Sequence, residues 1–88
     1  MQYILYVRAA LDGNQCPYCV KAQEFLSERN LDYKLITFDL EHAGLLQQVK
    51  NAYDWATVPM IFSRSENSIS FIGGYTDLVD LFNIDEQQ

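Results

Sequence analysis

The chain has 88 residues, 49% of them hydrophobic, with six Tyr, five Phe and a formal charge of −6. That length predicts a single domain over residues 1–88 with a small core, and the apolar content excludes a disordered chain. The acidic balance excludes a nucleic-acid partner held through its phosphates, and no stretch is apolar for long enough to enter a membrane.

Gln2 to Arg8 is rich in Tyr, Ile, Leu and Val with little alternation, and predicts a strand buried on both faces. Leu11 to Gln15, with Asp12-Gly13-Asn14 inside it, predicts a loop. Cys16 then falls at a helix N-cap and Pro17 at the first helical position, where its missing N–H costs nothing. On a helical wheel Tyr18, Cys19, Ala22, Phe25 and Leu26 share roughly a third of the circumference, with Lys21, Glu24 and Glu28 opposite. Asn30 and Asp32 mark a turn into a second strand, Tyr33 to Phe38. Leu45, Leu46, Val49, Ala52 and Tyr53 keep helical spacing, and Asp39 is placed to cap that helix. His42, in the polar run at its start, reads as a solvated residue. Met60 to Ser63 and Ile69 to Ile72 predict two strands joined through the polar turn Arg64 to Ser68. Gly73-Gly74 ends the last strand, and a short helix follows from about Thr76 to Phe82. The order is β-α-β-α-β-β-α, an α/β chain with a right-handed parallel unit and an antiparallel hairpin at its edge.

Both cysteines of the chain, Cys16 and Cys19, lie in one C-P-Y-C tetrapeptide. A pair at this spacing can close into a disulfide and reopen, and two cysteines alone exclude a disulfide-stapled secreted scaffold. This usage fits a reducing compartment and predicts a cytoplasmic location. Met1 to Val7, without a basic leader or a small-residue cleavage site, fits the same expectation. The unpaired N–H groups of a helix start favour a thiolate, so Cys16 is the candidate nucleophile. Cys19, three residues on and along the core-facing stripe, is the candidate resolving thiol. Structural zinc usually takes four N or S ligands, and the chain offers two Cys and His42, so no metal is expected.

Two further motifs accompany the pair. Thr57-Val58-Pro59 precedes a strand, where proline is confined to the first position or an edge. A cis bond there would leave the backbone of Val58 free to pair with an extended peptide, although spacing alone favours a simple loop-to-strand proline. In Gly73-Gly74-Tyr75-Thr76-Asp77, two glycines allow close approach and a helix start offers N–H groups to a carboxylate. Asp77 could receive an amine. The plain alternative is a turn with an N-cap box.

C-P-Y-C, T-V-P and G-G-Y-T-D, in this order in so short a chain, resemble the glutaredoxin family from Gln2 to about Phe82. The resemblance implies a thioredoxin fold, with a four-stranded mixed sheet flanked by three helices, and a cis Pro59. It also implies glutathione as reducing cosubstrate. Val58, with Thr57 and Pro59, would pair with the cysteinyl backbone of glutathione. The γ-glutamyl carboxylate would lie near Thr76, beside Gly74 and Tyr75, and its amine would meet Asp77. Tyr18 would flank the sulfur. The chain departs from the family pattern in two places. Gly13, Asn14 and Gln15 stand where many relatives carry a Lys, leaving Arg8 as the nearest upstream cation. Tyr53-Asp54-Trp55-Ala56 stands where many carry a basic residue; Gln47 or Lys50 is then a candidate for the glycine carboxylate, and Trp55 reads as packing.

The implied activity is glutathione-dependent thiol-disulfide exchange on protein disulfides and glutathione mixed disulfides, by a monomer, with ribonucleotide reductase as an electron acceptor. Two alternatives compete. One is a thioredoxin-like donor recycled by a flavoenzyme reductase. The other is an iron–sulfur carrier holding a cluster between two protomers, against which Pro17 and Tyr18 speak.

Overall fold

The computed structural model describes residues 2–9 and 16–86. The loop read over Leu11 to Gln15 therefore lies outside the described residues. Strand β1 (Gln2–Arg8) leads to helix α1 (Pro17–Glu28), strand β2 (Tyr33–Phe38), a 3-10 turn (Leu40–His42) and helix α2 (Ala43–Ala52). Strands β3 (Met60–Arg64) and β4 (Ile69–Gly73) and helix α3 (Tyr75–Glu86) complete the order. The sheet runs β2-β1-β3-β4, with β1 parallel to β2 and antiparallel to β3, and β3 antiparallel to β4. This is the mixed four-stranded sheet with three helices expected for a thioredoxin fold. No helix among the described residues is long and apolar enough to cross a membrane.

Alternation along β1 divides the core in two. Tyr3, Leu5 and Val7 point to one face, where they pack with Ala22, Phe25 and Leu26 of α1 and Leu78 of α3. Ile4 and Tyr6 point to the other, against Leu46 of α2 and Met60 and Phe62 of β3. Both faces of β1 are covered, as its composition predicts. The α2 side is only partly closed, because α2 contributes a narrow stripe. Leu46 is 3% exposed but Leu45 is 52% exposed, Ala52 is exposed too, and Tyr53 is partly exposed with its ring against Phe62 and Phe71. The other buried residue of α2 is Lys50, where the helical spacing places apolar neighbours instead. Asp39 does cap, but it caps the 3-10 turn that feeds α2: its Oδ1 accepts from the His42 N–H at 3.0 Å. His42 is exposed, and its Nδ1 lies 2.6 Å from the same oxygen, which holds the Asp39 carboxyl below its usual range.

Both α1 and α2 end in the same device. Asn30 (φ 57°) and Asp54 (φ 51°) take the left-handed conformation just past the helix. After α1, Asn30 N–H donates to Ser27 O at 3.0 Å and Leu31 N–H to Leu26 O at 3.0 Å. After α2, Asp54 N–H donates to Asn51 O at 3.2 Å and Trp55 N–H to Lys50 O at 2.8 Å. These paired bonds occupy carbonyls the helix would otherwise leave open, and they fix where the chain leaves it.

Candidate active site

Cys16 is the N-cap residue of α1. Its carbonyl accepts the first helical bond from Val20 N–H at 3.1 Å, and its side chain caps nothing. With Pro17 at the first helical position, the sulfur stands beside a helix start whose remaining N–H groups favour an anion. Cys16 is half-buried, a closer fit than the exposed end predicted for it, and its Sγ lies 3.9 Å from Val58 O. Cys19 is 2% exposed and joins the core with Ala22, Phe25 and Leu26, as the wheel predicts. Both thiols are free.

Burial pushes the Cys19 thiol up to about 12, aided by a hydrogen bond to Cys16 and by the charge of Cys16, with Arg8 pulling the other way. Two of the influences that keep Cys19 protonated thus come from Cys16. They vanish when the Cys16 sulfur is neither charged nor free to hydrogen-bond, which eases ionisation of Cys19.

Tyr18 departs from the wheel: it is 55% exposed. It sits at the rim of the stripe in the first turn, where no element covers it. Its ring meets only Tyr75 (centroids 6.2 Å apart) and the Lys21 amine (5.2 Å) among the described residues. Tyr75 in turn stands edge-on to Phe25, so the two rings extend the core outward beside Cys16.

The Val58–Pro59 bond is cis, as the family resemblance implies. Gly73 has φ 127°, and a Cβ there would overlap the Asp77 carboxyl. Gly74 caps α3. Its carbonyl accepts from Leu78 N–H at 3.0 Å, and its N–H donates to Asp77 Oδ2 at 2.9 Å. This is the back half of a capping box, so Asp77 caps through one oxygen, the plain alternative read from the sequence.

A groove of about 220 Å3 gathers Tyr18, Thr57, Val58, Pro59, Gly74, Tyr75, Thr76 and Asp77. Eight of the nine residues singled out as a glutathione cradle are thereby brought together. Arg8 is not among them. It lies at the end of β1 and lines a separate cleft of about 260 Å3 with Phe38, Leu46, Gln47 and Lys50. Lys50 is 5% exposed, and burial together with the nearby Arg8 charge lowers its amine from the ordinary value. The two cations named as candidates for a carboxylate therefore stand side by side, outside the groove proper. The stretch Gly13 to Gln15, where the family Lys is missing, lies outside the described residues. Trp55 lines the groove as well, although its sequence context read as packing. It does pack, edge-on to Phe71 at 5.3 Å. Its position two residues before Thr57-Val58-Pro59 was the signal that it also borders the site.

A family model described as Glutaredoxin matches residues 4–66. The chain is 37% identical to glutaredoxin-1 of Bos taurus over 71 residues, covering 75% of this chain and 63% of that protein. It is 32% identical to glutaredoxin 1 of Rickettsia prowazekii (strain Madrid E) over 71 residues, covering 75% of this chain and 66% of that protein. It thus spans slightly under two thirds of the length of these curated relatives. A crystal structure of glutaredoxin 1 from Francisella tularensis complexed with cacodylate superposes with a TM-score of 0.69 at 24% identity, covering 99% of this chain and 98% of the other. That structure supports the fold, and the family match together with both curated relatives shows that the chain belongs to the glutaredoxin family.

Proposed function

We propose that this chain is a thiol-disulfide oxidoreductase that draws its electrons from glutathione. The observation that carries the reading is the inequality of the two sulfurs: Cys16 at a helix start against the groove, Cys19 buried behind it. The Cys16 thiolate attacks one sulfur of a substrate disulfide, and the S–S bond breaks. The departing thiolate takes up a proton. Cys19 then gives up its proton and attacks the Cys16 sulfur, releasing the second substrate thiol and leaving a Cys16–Cys19 disulfide. One glutathione thiolate reopens that disulfide at Cys16. A second attacks the glutathione sulfur, yielding glutathione disulfide and free Cys16. Two glutathiones supply the two electrons.

In this reading the groove holds glutathione. Val58 meets its cysteinyl backbone, and the N–H groups near Thr76 meet its γ-glutamyl carboxylate. The second oxygen of Asp77 meets its amine. Arg8, Gln47 and Lys50 are the candidates for the glycine carboxylate. Ribonucleotide reductase as an electron acceptor, and action as a monomer, follow from the family resemblance. Metal plays no part in this cycle.

Turnover assays on the two serine variants test the assignment. Cys16→Ser abolishes all turnover. Cys19→Ser keeps deglutathionylation and loses dithiol transfer to protein disulfides. A Cys19→Ser variant as inactive as Cys16→Ser toward glutathionylated substrates would overturn the roles. Recycling by thioredoxin reductase in place of glutathione and its reductase would favour the thioredoxin-like donor. A visible-absorbing dimer purified without air would favour the cluster carrier.

A further inference from the structure

Trp55 is fixed beside the groove by more than its own packing. The left-handed Asp54 and the Trp55 N–H bond to Lys50 O (2.8 Å) set its backbone as the chain leaves α2. The ring stands edge-on to Phe71 and reaches over to Gly74, where an added Cβ would lie 3.6 Å from Trp55 Cζ2. Gly74 and the indole edge thus adjoin on the lining of the groove. The indole Nε1 is buried without a hydrogen-bond partner. Leaving a buried donor unpaired is costly, so apolar contact rather than a polar anchor keeps the ring here.

The rest of the groove has the same character. Tyr18 and Tyr75 form an aromatic wall at the Cys16 end, and Val58 and Pro59 form its floor. Among the described residues, Asp77 is the one charged residue lining it. Arg8 and Lys50 line the other cleft, and the Lys21 amine lies over the outer Tyr18 ring at 5.2 Å. An acidic side chain placed beside Asp77 would meet a like charge. An apolar or aromatic one would be buried against rings.

We propose that Trp55 is a specificity-determining residue, and that the groove takes extended protein segments with a bulky apolar or aromatic residue beside the half-cystine. The inference rests on disulfide exchange at Cys16 and names the substrate class for it. Aromatic pairing and apolar burial together are worth about a tenfold preference over an acidic neighbour.

The test uses hexapeptides whose single cysteine is disulfide-linked to 2-mercaptoethanol, with both flanking residues set to Phe, Ser or Glu. For the wild type, kcat/KM falls in the order Phe, Ser, Glu, by about tenfold from first to last. Trp55→Ala erases most of the Phe advantage through KM, so that the Phe-to-Ser ratio falls toward one, while Trp55→Phe keeps the ratio. Equal rates for the Phe and Glu peptides, or an equal loss on all three in Trp55→Ala, would overturn the proposal. A second readout is independent of turnover. Trp55 is the sole tryptophan, so its emission reports groove occupancy directly. In Cys16→Ser, a Phe-flanked peptide with Ser in place of its cysteine shifts that emission, and the Glu-flanked peptide does not. An unshifted emission with the Phe peptide rejects the proposal. Absence of turnover on every peptide, with the emission shift intact, rejects the exchange chemistry and leaves the binding preference standing.

Discussion

Burial, a hydrogen bond to Cys16 and the Cys16 charge hold Cys19 protonated up to about 12, against an ordinary value of 9.0. A thiol whose folded value is raised favours the folded state while protonated. That contribution is fully present below about pH 9 and drains away as the pH climbs toward 12. Reduced wild type therefore loses stability between pH 9 and pH 12 more steeply than Cys19→Ala, as urea midpoints across the range will show. Parallel losses in the two proteins would contradict the buried-thiol assignment. The same protection governs alkylation. Iodoacetamide at neutral pH labels Cys16 in the folded protein and reaches Cys19 only after unfolding, a pattern that peptide mass spectrometry resolves. The inequality itself was readable from the helical spacing of Cys19, Ala22, Phe25 and Leu26. Tyr18 was not, because a wheel gives the direction of a side chain and says nothing of whether another element arrives to cover it.

Helix α2 shows how far spacing alone carries at the scale of an element. Leu45 and Leu46 are equivalent apolar residues in the sequence, yet one faces solvent and the other closes the second core cluster with Met60 and Phe62. Leu46→Ala should cost about 2–5 kcal/mol in a denaturant titration, and Leu45→Ala should stay within about 0.5 kcal/mol. Similar losses at both positions would mean that α2 is rotated about its axis. The sequence located the helix but not its rotation. Packing against β1 and β3 selects that rotation, which turns Lys50 inward where the apolar pattern placed other residues.

Across the whole molecule the two faces of the sheet are unequally sealed. Nine buried residues, from β1, α1, β3 and α3, form the first cluster, and three form the cluster beneath α2, among the described residues. Local opening follows the thinner cover. Amide hydrogen exchange under native conditions should therefore be faster in α2 than in α1. The α2 amides should respond least to denaturant, as expected of local rather than global opening. Protection of α2 equal to that of α1 would show that the two faces open as one unit.

Chain order, the parallel unit, the hairpin and the sulfur pair at a helix start were all determined by the sequence, because each depends on residues adjacent or nearly adjacent in the chain. Proline at the first helical position, periodicity and paired glycines act locally. Tertiary structure decided the rest. It gathered Val58, Gly74 and Asp77 into one groove and set Val58 against the Cys16 sulfur, through the β1–β3 pairing and the entry to α3. It sent Arg8 to a different cleft and turned Trp55 from a packing residue into a wall of the groove. The physical reason is the same in each case: which residues share a cavity is set by contacts between distant segments, and no local propensity encodes them.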